Sequence, residues 1–330
     1  MMFKLINSLP GDLTHDISQI LLRNYIIFRS LCFKELPEIP ITKLCSYRLR
    51  NPIGVGAGID KNGDLLKNFL KIGLGFITLG SVTLHPRKGN PKPRIYKMYS
   101  RELMINSMGL PSRGVHYLVR NLRKYSKYRP RDSIIIVSIA GSKLEDYLEL
   151  IHVLNSEDFQ IFEVNISCPN VEKGIEYWKD LSELERLIKE ITRVSRKKVI
   201  IKLPPLSREY TSTQFKETLR LLHKHDVDGV CLSNTLSVRN LGKKYIAVGF
   251  GGLSGKILYN TVKTMVRIVK CSYSDDLDII ATGGVLHGHQ IHELLKLGAN
   301  AVGIVTAFAF QGPYAIYRLV REFLKVYENS

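Results

Sequence analysis

Eight short runs rich in Val and Ile recur along the chain: Ile53–Gly58, Gly75–Val82, Ser133–Ala140, Ile161–Ile166, Val199–Leu203, Gly229–Ser233, Leu277–Ala281 and Ala301–Val305. Near-continuous apolarity of this kind suits a strand buried on both faces, as in a parallel sheet. Between the runs the period changes to that of a helix with one apolar stripe, as in Leu181–Ile188 and Gln214–His225. Repeated strand-then-helix units predict an α/β fold, a (β/α)8 TIM barrel. An open doubly wound sheet fits less well, because it offers no reason for a count of eight.

Residues 1–45 break this pattern. Thr14 is placed to cap a helix that carries Ile17, Leu21, Tyr25, Phe28 and Cys32 along one side. Leu22, Ile26, Ile27 and Leu31 widen that side beyond a core stripe, and Arg23, Arg29 and Lys34 flank it with positive charge. Pro37 and Pro40 then interrupt the chain. Two readings fit: a helix plugging the bottom of the barrel, or an interfacial helix or hairpin dipping into a bilayer surface. The chain therefore divides into a helical extension, 1–45, and a barrel domain, 46–330.

Composition narrows the picture. The chain has 330 residues, 45% of them hydrophobic, enough for one large core. No run reaches the roughly 18 uncharged apolar residues of a membrane span. Pro10, Gly11 and Asp12 cut the apolar stretch near the start, so no secretory signal is expected. Cysteines 32, 45, 168, 231 and 271 form neither a CxxC pair nor a metal-ligand spacing, which predicts a reducing compartment and no metal site. A net charge of +18 favours anionic ligands. The basic residues are spread rather than gathered into an arm, so nucleic acid is not an expected partner.

The strongest chemical signal is Asn165-Ile-Ser-Cys-Pro-Asn170, at the end of the fourth run. Pro169 keeps Cys168 off helical geometry. Carboxamides at a strand end need partners when buried, and a flat polar ligand would supply them. Asn106, in Ile105-Asn-Ser-Met-Gly-Leu110, and Asn234-Thr235, after the sixth run, bring more such groups to the same end. Such a ring suits a planar ligand with amide-like edges and a carboxylate better than it suits a sugar phosphate. Gly54-Val-Gly-Ala-Gly-Ile-Asp-Lys-Asn-Gly63 lets backbone approach a ligand beside Lys61. It is not a dinucleotide fingerprint, because Ile59 stands where the third glycine is required. Lys202, between Ile201 and Leu203, must find a negative partner or lose its proton inside a barrel. Gly251–Gly255 before a helix, Gly283-Gly284 after the seventh strand and Thr306 after the eighth read as a phosphate cradle.

Together with Gly89-Asn-Pro-Lys-Pro-Arg94 and Gln311-Gly-Pro313, these segments resemble the dihydroorotate dehydrogenases, flavin enzymes of pyrimidine biosynthesis, over essentially the whole chain. The Ala57–Gly63 segment, the GNPxPR loop and the helical extension are similar to the membrane-associated, quinone-reducing branch. The resemblance implies FMN, held by Ala57, Gly58, Lys61, Ser81, Ser138, Asn165, Lys202, Ser233, Gly255, Gly284, Val305 and Thr306. It implies dihydroorotate, held by Lys61, Asn106, Ser107, Met108, Gly109, Leu110, Asn165, Asn170, Asn234 and Thr235. Cys168 would take the C5 proton while hydride passes from C6 to N5 of FMN, and Lys202 would steady the flavin's N1–O2 edge. Electrons would then pass to a membrane quinone. The protein would be cytoplasmic, touching the inner face of the cell membrane through residues 1–36.

Four positions depart from that branch. It carries Ser where Cys168 stands, Asn in place of Ser138, Arg in place of Lys97 near the quinone tunnel, and Tyr in place of Val305 beside the flavin. The departures leave dihydroorotate oxidation in place and the electron acceptor open between quinone, fumarate and a redox partner protein. A phosphate-binding barrel without redox chemistry is the remaining alternative.

Overall fold

The computed structural model describes residues 10–32, 36–39, 43–170, 176–273 and 276–329; Lys34, Pro40 and the first nine residues lie outside these. Eight parallel strands close into a barrel: β3 (Ile53–Asp60), β4 (Phe76–Val82), β7 (Ile134–Ile139), β8 (Ile161–Asn165), β9 (Lys198–Leu203), β10 (Gly229–Leu232), β13 (Asp278–Thr282) and β14 (Ala301–Ile304). They coincide with the eight apolar runs.

The barrel interior is layered. Phe76, Ile134, Ile136, Ile161, Ile200, Ile280 and Ala301 fill its N-terminal half. A hairpin of β1 (Lys43–Leu44) and β2 (Tyr47–Arg48) adds Leu44, Cys45 and Leu49 to that cluster. This hairpin, and not the N-terminal helix, closes the bottom, and the 45/46 division falls inside it. Farther along the strands the interior turns polar, with Ser138, Glu163, Lys202 and Thr282 all buried. Chemistry is thereby confined to the C-terminal mouth, where barrel sites belong.

Helices α3 (Leu66–Ile72), α4 (Val115–Tyr125), α5 (Leu144–Leu154), α6 (Leu181–Val194), α7 (Ser212–Lys224), α8 (Tyr259–Tyr273), α9 (Gly288–Lys296), α10 (Thr306–Gln311) and α11 (Pro313–Tyr327) follow the strands. Local chemistry explains their limits. Asp180 caps α6 by accepting from the backbone N–H of Ser182 and Glu183, and Leu184, Leu187, Ile188 and Ile191 form its buried stripe. Each such leucine would cost about 2–5 kcal/mol if cut back to alanine. Thr211 and Gln214 make a capping box at the start of α7.

Two features depart from the sequence expectation. First, β5 (Ile95–Met98), β6 (Leu103–Asn106), β11 (Leu236–Val238) and β12 (Gly251–Gly255) form an antiparallel sheet in the order β11-β12-β6-β5. It is built from the loops after β4 and β10, so it lies at the C-terminal mouth. Gly251–Gly255 is thus mainly a strand rather than a phosphate turn. A Cβ on Gly251 would come 2.6 Å from the Asn106 carbonyl oxygen, so close backbone approach is what requires glycine there.

Second, the N-terminal helix is two helices, α1 (Gly11–Arg23) and α2 (Tyr25–Cys32). Pro10 occupies the N-cap and Thr14 is buried within α1, so Thr14 is not the cap. Asn24 is extended at ψ 117°, and its side chain accepts from the N–H of Ile26 and Ile27, restarting the helix. Phe28 packs edge-on against Phe69 at 5.3 Å, and Asn68 Nδ2 donates to the Leu22 carbonyl at 2.7 Å. The opposite face stays bare, with Ile20 69% and Ile26 78% exposed.

Candidate active site

A cavity of about 1440 Å³, its open mouth included, occupies the C-terminal end of the barrel. Strand ends supply Ala57, Gly58, Ser81, Asn165, Lys202, Val305 and Thr306, and the following loops supply Cys168, Asn170, Ser233, Asn234 and Thr235. Asn106, Met108 and Leu110 enter from β6 and the segment after it. Helix α1 closes another side with Thr14, His15, Ser18, Gln19 and Leu22. Those α1 residues were not predicted as site residues, because nothing local to α1 signals which of its faces meets the barrel.

The carboxamides knit the wall together. Asn165 Nδ2 donates to Ser81 Oγ at 2.9 Å, Asn234 Nδ2 to Asn165 Oδ1 at 3.2 Å, and Asn170 Nδ2 to Asn106 Oδ1 at 2.7 Å. Asn170 Oδ1 and Thr235 Oγ1 are buried without a hydrogen-bond partner. Such orphans cost about 1–3 kcal/mol each, so they favour a ligand that brings donors.

Several predicted positions lie one layer behind the wall. Ser138 is fully buried and hydrogen-bonds Ser81 Oγ at 2.8 Å, so it reaches the cavity through Ser81. Ser107 is fully buried and accepts from Asn90 Nδ2 at 3.0 Å, while Gly109 turns the chain at φ 69° between Met108 and Leu110. Gly255 and Gly284 pack backbone to backbone beside the cavity: a Cβ on Gly284 would lie 2.5 Å from Tyr259 N and 2.9 Å from the Gly255 carbonyl oxygen.

The electrostatics follow from burial. Cys168 is 5% exposed and packs with Leu110 and Ala140 at the cavity wall. Burial pushes its thiol above the ordinary range, while the Asn170 N–H, Lys202 and Arg87 pull part of the way back. Lys202 Nζ lies 3.7 Å from Glu163 Oε1. Burial opposes its charge, but Glu163, Cys231 and Cys168 outweigh that and hold it above the ordinary lysine value. Glu163 was missed from sequence, although a lone carboxylate inside Ile161-Phe-Glu-Val164 was the available signal for the partner Lys202 needed.

Lys61 donates to the Gly58 carbonyl at 2.6 Å, and burial, helped by Arg94, lowers its pKa to about 8. Lys97 donates to the Ala309 carbonyl at 2.6 Å and is lowered to about 8 by burial. His15 is lowered to about 3, mainly by burial and then by Lys61, so its imidazole is neutral at pH 7.

The family model for dihydroorotate dehydrogenase matches residues 41–326. The chain belongs to the dihydroorotate dehydrogenase family. A Vibrio cholerae protein named dihydroorotate dehydrogenase (quinone) is 31% identical, with 95% of this chain and 96% of that protein covered. A Burkholderia pseudomallei protein of the same name is 30% identical, with 87% of this chain and 86% of that protein covered. In fold, the chain is similar to the Eimeria tenella dihydroorotate dehydrogenase crystallised with ferulenol, at a TM-score of 0.84 and 23% identity over 96% of this chain and 92% of that one. It is an oxidoreductase, and its similarity within the dihydroorotate dehydrogenase family runs to members of the quinone type.

Proposed function

We propose that this dihydroorotate dehydrogenase oxidises dihydroorotate to orotate in pyrimidine biosynthesis, using FMN and delivering the electrons to a quinone. The observation that carries this reading is the meeting of Cys168, Lys202 and four carboxamides in one cavity whose Asn170 Oδ1 and Thr235 Oγ1 lack partners. A planar ligand with N–H edges would bring donors of the kind that both orphans lack.

The walls fit a flavin nucleotide. Gly58 turns at φ 106° with nothing within 4 Å of the Cβ position, leaving room for a ring against the backbone. Lys202 offers a buried cation, and the glycine turn at 283–284 with Thr306 offers backbone donors for a phosphate. Ala57, Gly58, Ser81, Asn165, Lys202, Ser233, Val305 and Thr306 would hold the cofactor directly, with Ser138, Gly255 and Gly284 supporting them from behind. When bound, FMN would accept the C6 hydrogen of dihydroorotate together with its electron pair.

The chain's own residues account for the rest. Lys61 pairs with the substrate carboxylate and Asn106, Asn165, Asn170 and Asn234 orient the ring, assisted by Thr235 and the Ser107–Leu110 backbone. Cys168, as thiolate, takes the C5 proton. Lys202 balances negative charge at the cofactor edge.

For the acceptor, we assign residues 1–45 to an extension that completes a quinone site. Its support is the wall shared by α1 with Lys97, Phe308 and Ala309, and the exposed Leu13, Ile20 and Ile26, which suit a bilayer surface. No helix among the described residues is long and apolar enough to cross a membrane. Cys168, Lys97 and Val305 favour a second reading, the same half-reaction with fumarate or a redox partner protein. A yellow purified protein that reduces a quinone in preference to fumarate and NAD⁺ supports the proposal. Colourless protein, or turnover with fumarate alone, overturns it.

A further inference from the structure

We infer that Glu163 is a positioning residue whose carboxylate, set beneath Lys202 inside the barrel, keeps that lysine charged and aimed at the cavity floor. This rests on reading the cavity as a flavin site. The register places Asn165 beside Lys202, and Glu163 beside Ile200 and Ser138. Glu163 and Asn165 are two residues apart on one strand, so both face the interior. Glu163 is 1% exposed, and its Oε1 has no hydrogen-bond partner but lies 3.7 Å from Lys202 Nζ.

The groups facing that lysine are few. Glu163 comes from β8, Cys231 from β10 and Cys168 from the loop after β8, and Arg87 in turn lowers the pKa of Cys168. The Cys231 thiol, 3.9 Å from Thr282 Oγ1, is pushed far up by burial and stays protonated. Among the described residues Glu163 is therefore the carboxylate on which the charge of Lys202 depends. A buried ion pair is seldom more stable than apolar residues of the same volume, so stability alone does not explain this one. Constancy does: with Glu163 present, Lys202 keeps its proton across neutral pH, and the floor beneath the flavin keeps one positive charge.

The test compares wild type, Glu163→Gln, Lys202→Met and the double variant. In apo-protein, Glu163→Gln leaves Lys202 buried and alone, with its pKa drawn below the unfolded value of about 10.4. A lowered lysine destabilises most at acid pH and progressively less as pH rises, because the unfolded state then loses the proton too. The Tm deficit of Glu163→Gln should be roughly 5 °C or more near pH 6 and should shrink toward pH 10. The double variant should recover the lost Tm. In the flavin-bound protein, the midpoint potential plotted against pH should show one extra change of slope in Glu163→Gln, absent from wild type and from the double variant.

A pH-independent Tm deficit, or a potential curve superimposable on wild type, overturns the inference. If Glu163→Gln fails to fold but the double variant folds, the inference stands. If neither folds, Glu163 is structural and the inference falls. Wild type without flavin would instead overturn the cofactor reading, and the apo-protein melts would still decide the role of Glu163.

Discussion

Replacing Cys168 and following the reaction against pH tests the chemistry most directly. A thiol at the ordinary value of about 8.5 is roughly 3% ionised at pH 7, a cost of about 2 kcal/mol if the thiolate is the base. In this protein the cost is higher, because burial against Leu110 and Ala140 raises the thiol further than the Asn170 N–H, Lys202 and Arg87 lower it. Each additional unit adds about 1.4 kcal/mol. The rate of flavin reduction by dihydroorotate, measured by stopped-flow bleaching of the flavin band, should climb about tenfold per pH unit from pH 6. No plateau should appear below the free-thiol value. Cys168→Ala should reduce flavin about 10²–10⁴-fold more slowly while FMN stays bound, the usual contribution of a positioned base. The variant has a second signature. A pKa raised on folding means full stability below the free-thiol value and a decline as pH climbs through the folded value; the alanine variant lacks that decline. A flat rate between pH 6 and 8, or an alanine variant within tenfold of wild type, would refute the assignment.

Four other outcomes are expected. Lys61→Met should bind dihydroorotate at least tenfold more weakly, and in wild type KM should rise as pH passes about 8, where Lys61 loses its charge. Because folding lowers the pKa of Lys61, its charge destabilises below that pH. The methionine variant should therefore gain on the order of 1 kcal/mol at neutral pH and lose the gain near pH 10, checked by urea titration. Gly284→Ala places a methyl 2.5 Å from Tyr259 N at φ 75°, and FMN retention, read by fluorescence titration, should fall about tenfold or more. Ile20→Glu with Ile26→Glu charges the bare face of α1 and α2; sedimentation with lipid vesicles should be lost while turnover with a water-soluble quinone persists. Phe69→Ala removes a fully buried ring that touches Phe28 and Phe308, and should cost about 3–5 kcal/mol in denaturant melts.

The barrel was legible because its signals are local. Each apolar run is a strand because both its faces are buried, and each amphipathic stretch is a helix because only one face is. The Asn165–Asn170 cluster could be placed at a mouth because it ends such a run, and β8 does stop at Asn165. Residues without a local signal were misread or missed. The sheet over the mouth pairs Ile105 with Leu253 across almost half the chain, and short glycine-rich segments carry no period that announces such a pairing. Asn24 breaks the N-terminal helix by capping a new one, a choice that also depends on seating Leu22 and Phe28 against α3.

By itself, then, the order of residues determined which segments become the eight barrel strands and the helices between them, and which polar side chains gather at the ends of those strands. Only the closed barrel decided that Glu163 stands beneath Lys202 and that α1 walls the cavity. It also decided that the hairpin of β1 and β2, rather than a helix, fills the bottom. Those outcomes depend on distances between groups far apart in sequence, and such distances exist only once the barrel has closed and water has left its interior.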